Sequence, residues 1–155
     1  MKLYIDSTVL AAYYTPETLS ASAEGILQAY PLPAISELAE IELFSALSTK
    51  VERAELAVDD LRRIQAVFLG HLEDDFFQRV ALGRHHFRLA REWAGRGFDA
   101  LPPSASIHLA TAALEERTLT TADPRLISAA RSFGVDALPL EAPEGVAGGM
   151  VHEGS

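Results

Sequence analysis

Leu3-Tyr4-Ile5-Asp6-Ser7-Thr8-Val9-Leu10 is the stretch whose reading decides the fold. Leu3 to Ile5 is a short apolar run and reads as a buried strand. It stops on an acid, Asp6, and two hydroxyl residues, Ser7 and Thr8, follow it. From Val9 to Tyr14 the pattern is helical. Ser7 is the expected N-cap, and Thr15-Pro16 the expected stop. A carboxylate at the carboxyl end of a buried strand, just before a helix, sits where open α/β sheets place their ligands.

The composition bounds what surrounds this stretch. A chain of 155 residues with a hydrophobic fraction of 48% is one globular domain with a real core. It has no cysteine, which excludes a disulfide framework and thiolate metal sites. No apolar run has the form of a signal peptide or the length of a membrane span, so a soluble cytoplasmic protein is expected, with no membrane partner. The net charge of −9 argues against coating nucleic acid by bulk electrostatics. It leaves room for a local groove, and acids gathered around a cation would themselves contribute to such a balance.

Working outward, helices are expected from about Ser20 to Ala29, then from Ser36, whose Leu43, Phe44, Leu47 and Val51 share an apolar face. Pro31 and Pro33 bracket a loop before the short extended piece Ala34-Ile35. Asp59 or Asp60 caps the next helix, which buries Leu61, Ile64, Val67 and Phe68 and ends at Gly70. Phe76 to Leu82 reads as a strand or an irregular edge. Arg84 to Ala94 is helical and ended by Gly95 and Gly97. After Pro102-Pro103, Ser104 caps a helix that buries Ile107, Ala110 and Leu114. Thr118 to Thr121 is a β-branched strand ending at Ala122-Asp123-Pro124, and proline at the first helical position starts a helix there. Val135 to Leu138 is the last strand. The alternation of strands and helices predicts an α/β fold with a mostly parallel sheet of four to five strands, covered by helices on both faces. The domain spans 1–140, and the Pro- and Gly-rich segment 141–155 reads as a mobile tail.

Asp6 and Asp123 share a context, each following a strand and opening a helix. On neighbouring strands they project at one edge of the sheet. Glu42 lies in the second turn of a helix that also follows a strand-like segment. Carboxylates brought together repel unless a cation or proton intervenes, and hard divalent ions prefer carboxylate oxygens. An acid-only cluster therefore suggests Mg²⁺ or Mn²⁺. Against this, Asp6, Ser7 and Asp123 are all residue types that cap helices, and Glu42 alone reads as a solvated helix residue.

Four segments together resemble the PIN-domain family, and within it the VapC-type toxin ribonucleases of bacterial toxin–antitoxin pairs. They are Leu3 to Leu10, Ser36-Glu37-Leu38-Ala39-Glu40-Ile41-Glu42-Leu43, Ser106-Ile107-His108-Leu109-Ala110-Thr111-Ala112 and Thr120-Thr121-Ala122-Asp123-Pro124-Arg125-Leu126, with Ala129-Ala130 and Gly134 beyond. In the second, the family's acid falls six residues after the Ser, which selects Glu42 over Glu40. The resemblance implies a three-layer α/β/α fold, Mg²⁺- or Mn²⁺-dependent cleavage of RNA, a homodimer and a small inhibitory antitoxin protein. It makes Asp6, Glu42 and Asp123 the metal-site and catalytic acids, with Ser7 or Thr8 as a polar neighbour of the metal.

The third segment departs from the family pattern. Three residues before His108, where the family usually has Asp, stands Ala105. A methyl group ligates nothing, Ser104 and Ser106 are neutral, and Asp99 reaches the site only by a local rearrangement. Either the chain is a naturally weak or inactive member, or the position has been substituted to disarm a toxic enzyme. A single Asp-to-Ala change in an otherwise intact site favours the second. Weaker metal binding and strongly reduced cleavage are expected, with the fold intact.

Elsewhere, Arg84, Arg88 and Arg91 share a helix face, and eleven of the thirteen basic residues are Arg. An RNA groove is one reading. A solvated face, or ion pairs with Glu73, Asp74 or Asp75, is the preferred one. His85 and His86 read as surface residues, and His108 as a helix-packing or hydrogen-bonding residue behind the acids. No Gly-rich phosphate loop supports an NTPase. Thr8 stands where aspartyl-phosphate phosphatases carry a second Asp. The competing class is a scaffold without catalysis, engaging an antitoxin, RNA or itself. Tyr13, Tyr14, Phe68, Phe76 and Phe77 are candidates for such an interface, with core packing as the default.

Overall fold

The structure, a computed structural model, describes residues 1–144. Along the chain run β1 (Leu3–Ile5), α1 (Ser7–Tyr14), α2 (Ser20–Ala29), β2 (Ala34–Ser36), α3 (Glu37–Glu52), α4 (Val58–Glu73), β3 (Gln78–Val80), α5 (Arg84–Ala94), α6 (Pro103–Leu114), β4 (Thr118–Thr121), α7 (Pro124–Ser132) and β5 (Ala137–Pro139). The strands form one sheet in the order β3-β2-β1-β4-β5, parallel throughout. This is the mixed α/β, three-layer arrangement the alternation of elements predicts.

Parallel strands buried on both faces need apolar side chains on both, and β1 supplies them without a break. Successive side chains of a strand point to opposite faces. Leu3 and Ile5 accordingly enter one core with Val9, Leu10, Leu27, Leu43, Leu47 and Phe68, contributed by α1 to α4. Tyr4 enters the other with Trp93, Leu109, Leu119 and Leu126, contributed by α5 to α7 and β4. Each fully buried Leu or Ile contributes about 1.5–3 kcal/mol relative to an exposed one. The chain moves outward from β1 through β2 to β3, then returns to the other side of β1 for β4 and β5. The order thus reverses between β1 and β4, whose register pairs Leu3 with Thr118, Tyr4 with Leu119 and Ile5 with Thr120. Loops leaving the carboxyl ends of two strands at such a reversal diverge and open a crevice between them.

Several local expectations are corrected. Asp6, not Ser7, caps α1, because its carboxylate accepts from the Thr8 and Val9 amides. Helix α4 starts after Ala57, with Asp59 and Asp60 in its first turn, where they favour the positive end of the helix dipole without capping it. It passes through Gly70 to Glu73, and Val67 is 47% exposed. Helix α6 begins at Pro103 with Pro102 as the capping residue, so Ser104 lies inside the helix; Leu114 is exposed and Ile107 only half-buried. Proline's fixed φ suits the first helical position. The last strand is Ala137–Pro139. Phe68 and Phe77 are buried and pack on Tyr14 and Phe76, so that aromatic group is core. The tail expected from residue 141 lies, from 145 onward, outside the described residues.

Candidate functional site

Asp6 sits at the carboxyl end of the central strand, 3% exposed. Its Oδ1 accepts from the Thr8 amide at 3.0 Å, the Val9 amide at 3.4 Å and the Thr8 hydroxyl at 2.5 Å. Its Oδ2 accepts from the Thr121 hydroxyl at 2.5 Å. Burial pushes the Asp6 carboxyl above its ordinary range, and His108, Thr121, Thr8 and the Val9 amide pull the other way.

The same hydroxyls tie Asp6 to the loop after β4. Thr121 Oγ1 also accepts from the Asp123 amide at 3.1 Å, and Thr8 Oγ1 from the Ala122 amide at 2.8 Å. The loop that carries Asp123 is therefore stitched to Asp6 through two threonines. Asp123 caps α7, as its residue type allows, accepting from the Arg125 amide at 2.9 Å; its side chain remains 34% exposed. Of the two hydroxyl residues after Asp6, Thr8 is the one that engages it. In the sequence Thr121 stands within its strand and the fourth segment, with no role assigned at the site. The available signal was the pair Thr120-Thr121 in a strand buried on both faces. One of two adjacent hydroxyls must face the acid, and the other is left over. Thr120 Oγ1 is the one left over, buried with no hydrogen-bond partner among the described residues.

Glu42 comes from the second turn of α3, its side chain 28% exposed, and its Oε1 is joined by a short contact to His108 Nε2 on α6. Glu40, rejected by the spacing argument, is turned away. It holds Arg79 of β3 through both carboxylate oxygens, the shorter contact being 2.8 Å. His108 Nδ1 lies 2.7 Å from the Tyr4 hydroxyl, and that hydroxyl 2.8 Å from Ser36 Oγ. Ser36 thus spends its side chain on Tyr4 and makes no side-chain cap to α3. Ala105 is buried in the first turn of α6, one turn before His108, and packs in the core that holds Tyr4. Asp99 is exposed in the loop between α5 and α6, with a left-handed backbone (φ 48°).

The donors gathered at this edge are carboxylate and hydroxyl oxygens, the chemistry that suits a hard divalent cation. A carboxylate buried against its own pKa is a second mark of a place prepared for positive charge. The set is open, however. Among the described residues, the trio of His and acidic ligand atoms within 4.8 Å of one another is His85, His86 and Glu115, not the three acids. That trio sits at the opposite edge of the sheet, where α6 ends just before β4. Contrary to expectation His86 is buried. Its Nδ1 accepts from the Gly83 amide at 2.9 Å, which puts the proton on Nε2, and Nε2 donates to Glu115 at 3.0 Å. The nitrogen a metal would need is occupied by that proton, so the group clamps α5 to α6. Arg84, Arg88 and Arg91 are exposed, and none forms an ion pair with Glu73, Asp74 or Asp75. Among the described residues, no helix is long and apolar enough to cross a membrane.

Residues 3–132 match the PIN domain family. A comparison with characterised protein sequences finds no match. Solved structures with the same fold include VapC20 of Mycobacterium tuberculosis, a toxin that cleaves the sarcin-ricin loop (TM-score 0.64, 15% identity, 83% of this chain and 95% of that one). Others are FitAcB of Neisseria gonorrhoeae (TM-score 0.64, 16% identity, 88% and 96%) and DNA-bound VapBC of Salmonella typhimurium (TM-score 0.62, 15% identity, 91% and 99%). With the reversal of strand order at β1, the match over 3–132 identifies the chain as a member of the PIN domain family, with the fold of the VapC toxins.

Proposed function

We propose that the chain is the toxin of a toxin–antitoxin pair, a Mg²⁺- or Mn²⁺-dependent endoribonuclease whose activity is impaired by Ala105. The observation that carries this reading is the polar cluster at the carboxyl ends of β1 and β4. There Asp6 and the Asp123 amide share one threonine hydroxyl, and Glu42 approaches from α3. Asp6, Glu42 and Asp123 would hold the cation, with Thr8 fixing Asp6 from behind. When bound, the cation supplies charge to the scissile phosphate and acidifies a water molecule. Thr8 and Thr121 keep both Asp6 oxygens oriented, and His108 holds one oxygen of Glu42 and leaves the other free for the cation. The proposed partners are RNA as substrate, a small antitoxin and a second copy of the chain, in the cytoplasm. Family membership and the toxin–antitoxin complexes among the structural neighbours support these assignments.

A second reading, a PIN scaffold that binds antitoxin or RNA without cleaving, is favoured by one residue, Ala105. Its methyl packs in the core that holds Tyr4, one turn before His108, at the position where the family usually has Asp. The test is Ala105→Asp. Calorimetry should show Mn²⁺ binding tightened by at least about tenfold, and RNA cleavage should appear with Mn²⁺. A restored protein that stays inert over a broad set of RNAs overturns the ribonuclease reading and leaves the scaffold.

A further inference from the structure

Between the acid Glu42 and the sheet lies a chain of side chains that capping and core packing do not require. Ser36 Oγ is 2.8 Å from the Tyr4 hydroxyl, Tyr4 is 2.7 Å from His108 Nδ1, and His108 Nε2 meets Glu42 Oε1. Ser36 and Tyr4 are fully buried and His108 is 3% exposed. Four polar groups from β1, β2, α3 and α6 thus converge where apolar packing would otherwise be simplest.

Only some proton placements satisfy every link. The carboxylate of Glu42 only accepts, so Nε2 of His108 must donate to it. In a neutral ring Nδ1 is then an acceptor, and the Tyr4 hydroxyl must donate to it. The Tyr4 oxygen is left to accept from Ser36. The three donors, Ser36, Tyr4 and His108, then point their protons the same way, toward the acid.

We infer that Tyr4 and His108 are positioning residues for Glu42: the Tyr4 hydroxyl donates to Nδ1 and fixes the plane of the His108 ring, whose Nε2–H holds Glu42 Oε1 and leaves its other oxygen free. The inference rests on the proposed role of Glu42 as a metal-site acid. It adds two residues that touch neither cation nor substrate. It also explains why β1 carries a tyrosine between Leu3 and Ile5, where an aliphatic residue would pack without a partner.

The test has two arms. In the first, ring ¹⁵N shifts of His108 are read at neutral pH in the chain as it stands and in Tyr4→Phe, which removes only the hydroxyl. The unsubstituted chain should show the Nε2–H tautomer with a hydrogen-bonded Nδ1, and Tyr4→Phe an Nδ1 shift displaced toward that of an acceptor nitrogen without a donor. A doubly protonated ring in the unsubstituted chain, or an Nδ1 shift unmoved by Tyr4→Phe, overturns the role given to Tyr4. In the second, Mn²⁺ affinity is measured by calorimetry in Ala105→Asp, alone and combined with Tyr4→Phe, His108→Gln or His108→Ala. Tyr4→Phe should weaken Mn²⁺ by about tenfold, the range seen for groups that orient metal ligands. His108→Gln, which can present an amide N–H to Glu42, should retain more affinity than His108→Ala. Equal affinity in all four proteins overturns the inference. Absence of Mn²⁺ binding in Ala105→Asp itself fails the metal reading instead, and the ring spectra still decide the relay.

Discussion

At the scale of single residues, Asp6 carries the most tension. Its carboxylate is buried, and four donors offset the loss of water only in part, so its folded pKa lies above the ordinary 3.8. The sign of the pH effect follows. Between 3.8 and the raised folded value, the native state holds the proton more tightly than the unfolded chain. Stability without metal therefore falls as pH rises through that window, and the loss persists above it. Asp6→Asn removes the charge and keeps an oxygen for the Thr8 and Val9 amides. Thermal melts without metal should show a higher Tm than the unsubstituted chain at neutral pH and a flatter pH profile above 3.8. In the Ala105→Asp background the same change should weaken Mn²⁺ by more than about 100-fold, beyond what removal of an orienting group does. A melting point that drops at neutral pH would contradict the strain assigned to Asp6. The reading of Asp6 from sequence needed only its place after an apolar run. Its partner Thr121 was not legible, because 115 residues separate the two and only strand pairing brings them together.

Among the elements, α5 and α6 make the most extensive helix–helix contact, and the His86 ring is the polar clamp between them. Truncation by His86→Ala opens a buried hole and leaves the Gly83 amide and Glu115 without their partner. The expected loss is about 2–3 kcal/mol in urea unfolding, made up of lost packing and orphaned polar groups. Because His86 lies at the far edge of the sheet from Asp6, Mn²⁺ affinity in the Ala105→Asp background should change less than twofold. A large affinity loss with small destabilisation would place His86 in the site after all. The run Arg84-His85-His86-Phe87 gave no sign of this burial, since adjacent histidines in a charged helix read as solvated. The turn at Gly83, whose amide points back at the ring, decides it. Helix ends show the same limit. The spans of α2 and α5 follow from local pattern, whereas the cap of α1 passed from Ser7 to Asp6 because a carboxylate already held by Thr8 is also best placed for the Val9 amide.

For the whole molecule, both cores, among the described residues, are built from side chains between Leu3 and Leu140. The Pro- and Gly-rich composition of 141–155 predicts that a chain ending at Glu144 folds with a Tm within about 2 °C of the full chain and keeps its Mn²⁺ behaviour, checked by melting and calorimetry. A large loss would mean that residues 145–155 belong to the domain. The sequence by itself determined the element order, the parallel sheet buried on both faces and the acids Asp6, Glu42 and Asp123 as candidates. The first two rest on short-range facts, an unbroken apolar run for a two-sided strand and a proline after Asp123, whereas the choice of Glu42 rests on the resemblance to the family's second motif. Only the tertiary structure decided which strands are neighbours, and with that everything held by side chains distant in sequence. The reversal at β1 sets Thr121 against Asp6, α6 across from α3 sets His108 against Glu42, and Tyr4 reaches Ser36 because β1 and β2 lie side by side. Periodicity reports which face of an element is buried. It carries no record of what is buried against it, because that depends on strand order and register, which the packing of the whole chain selects.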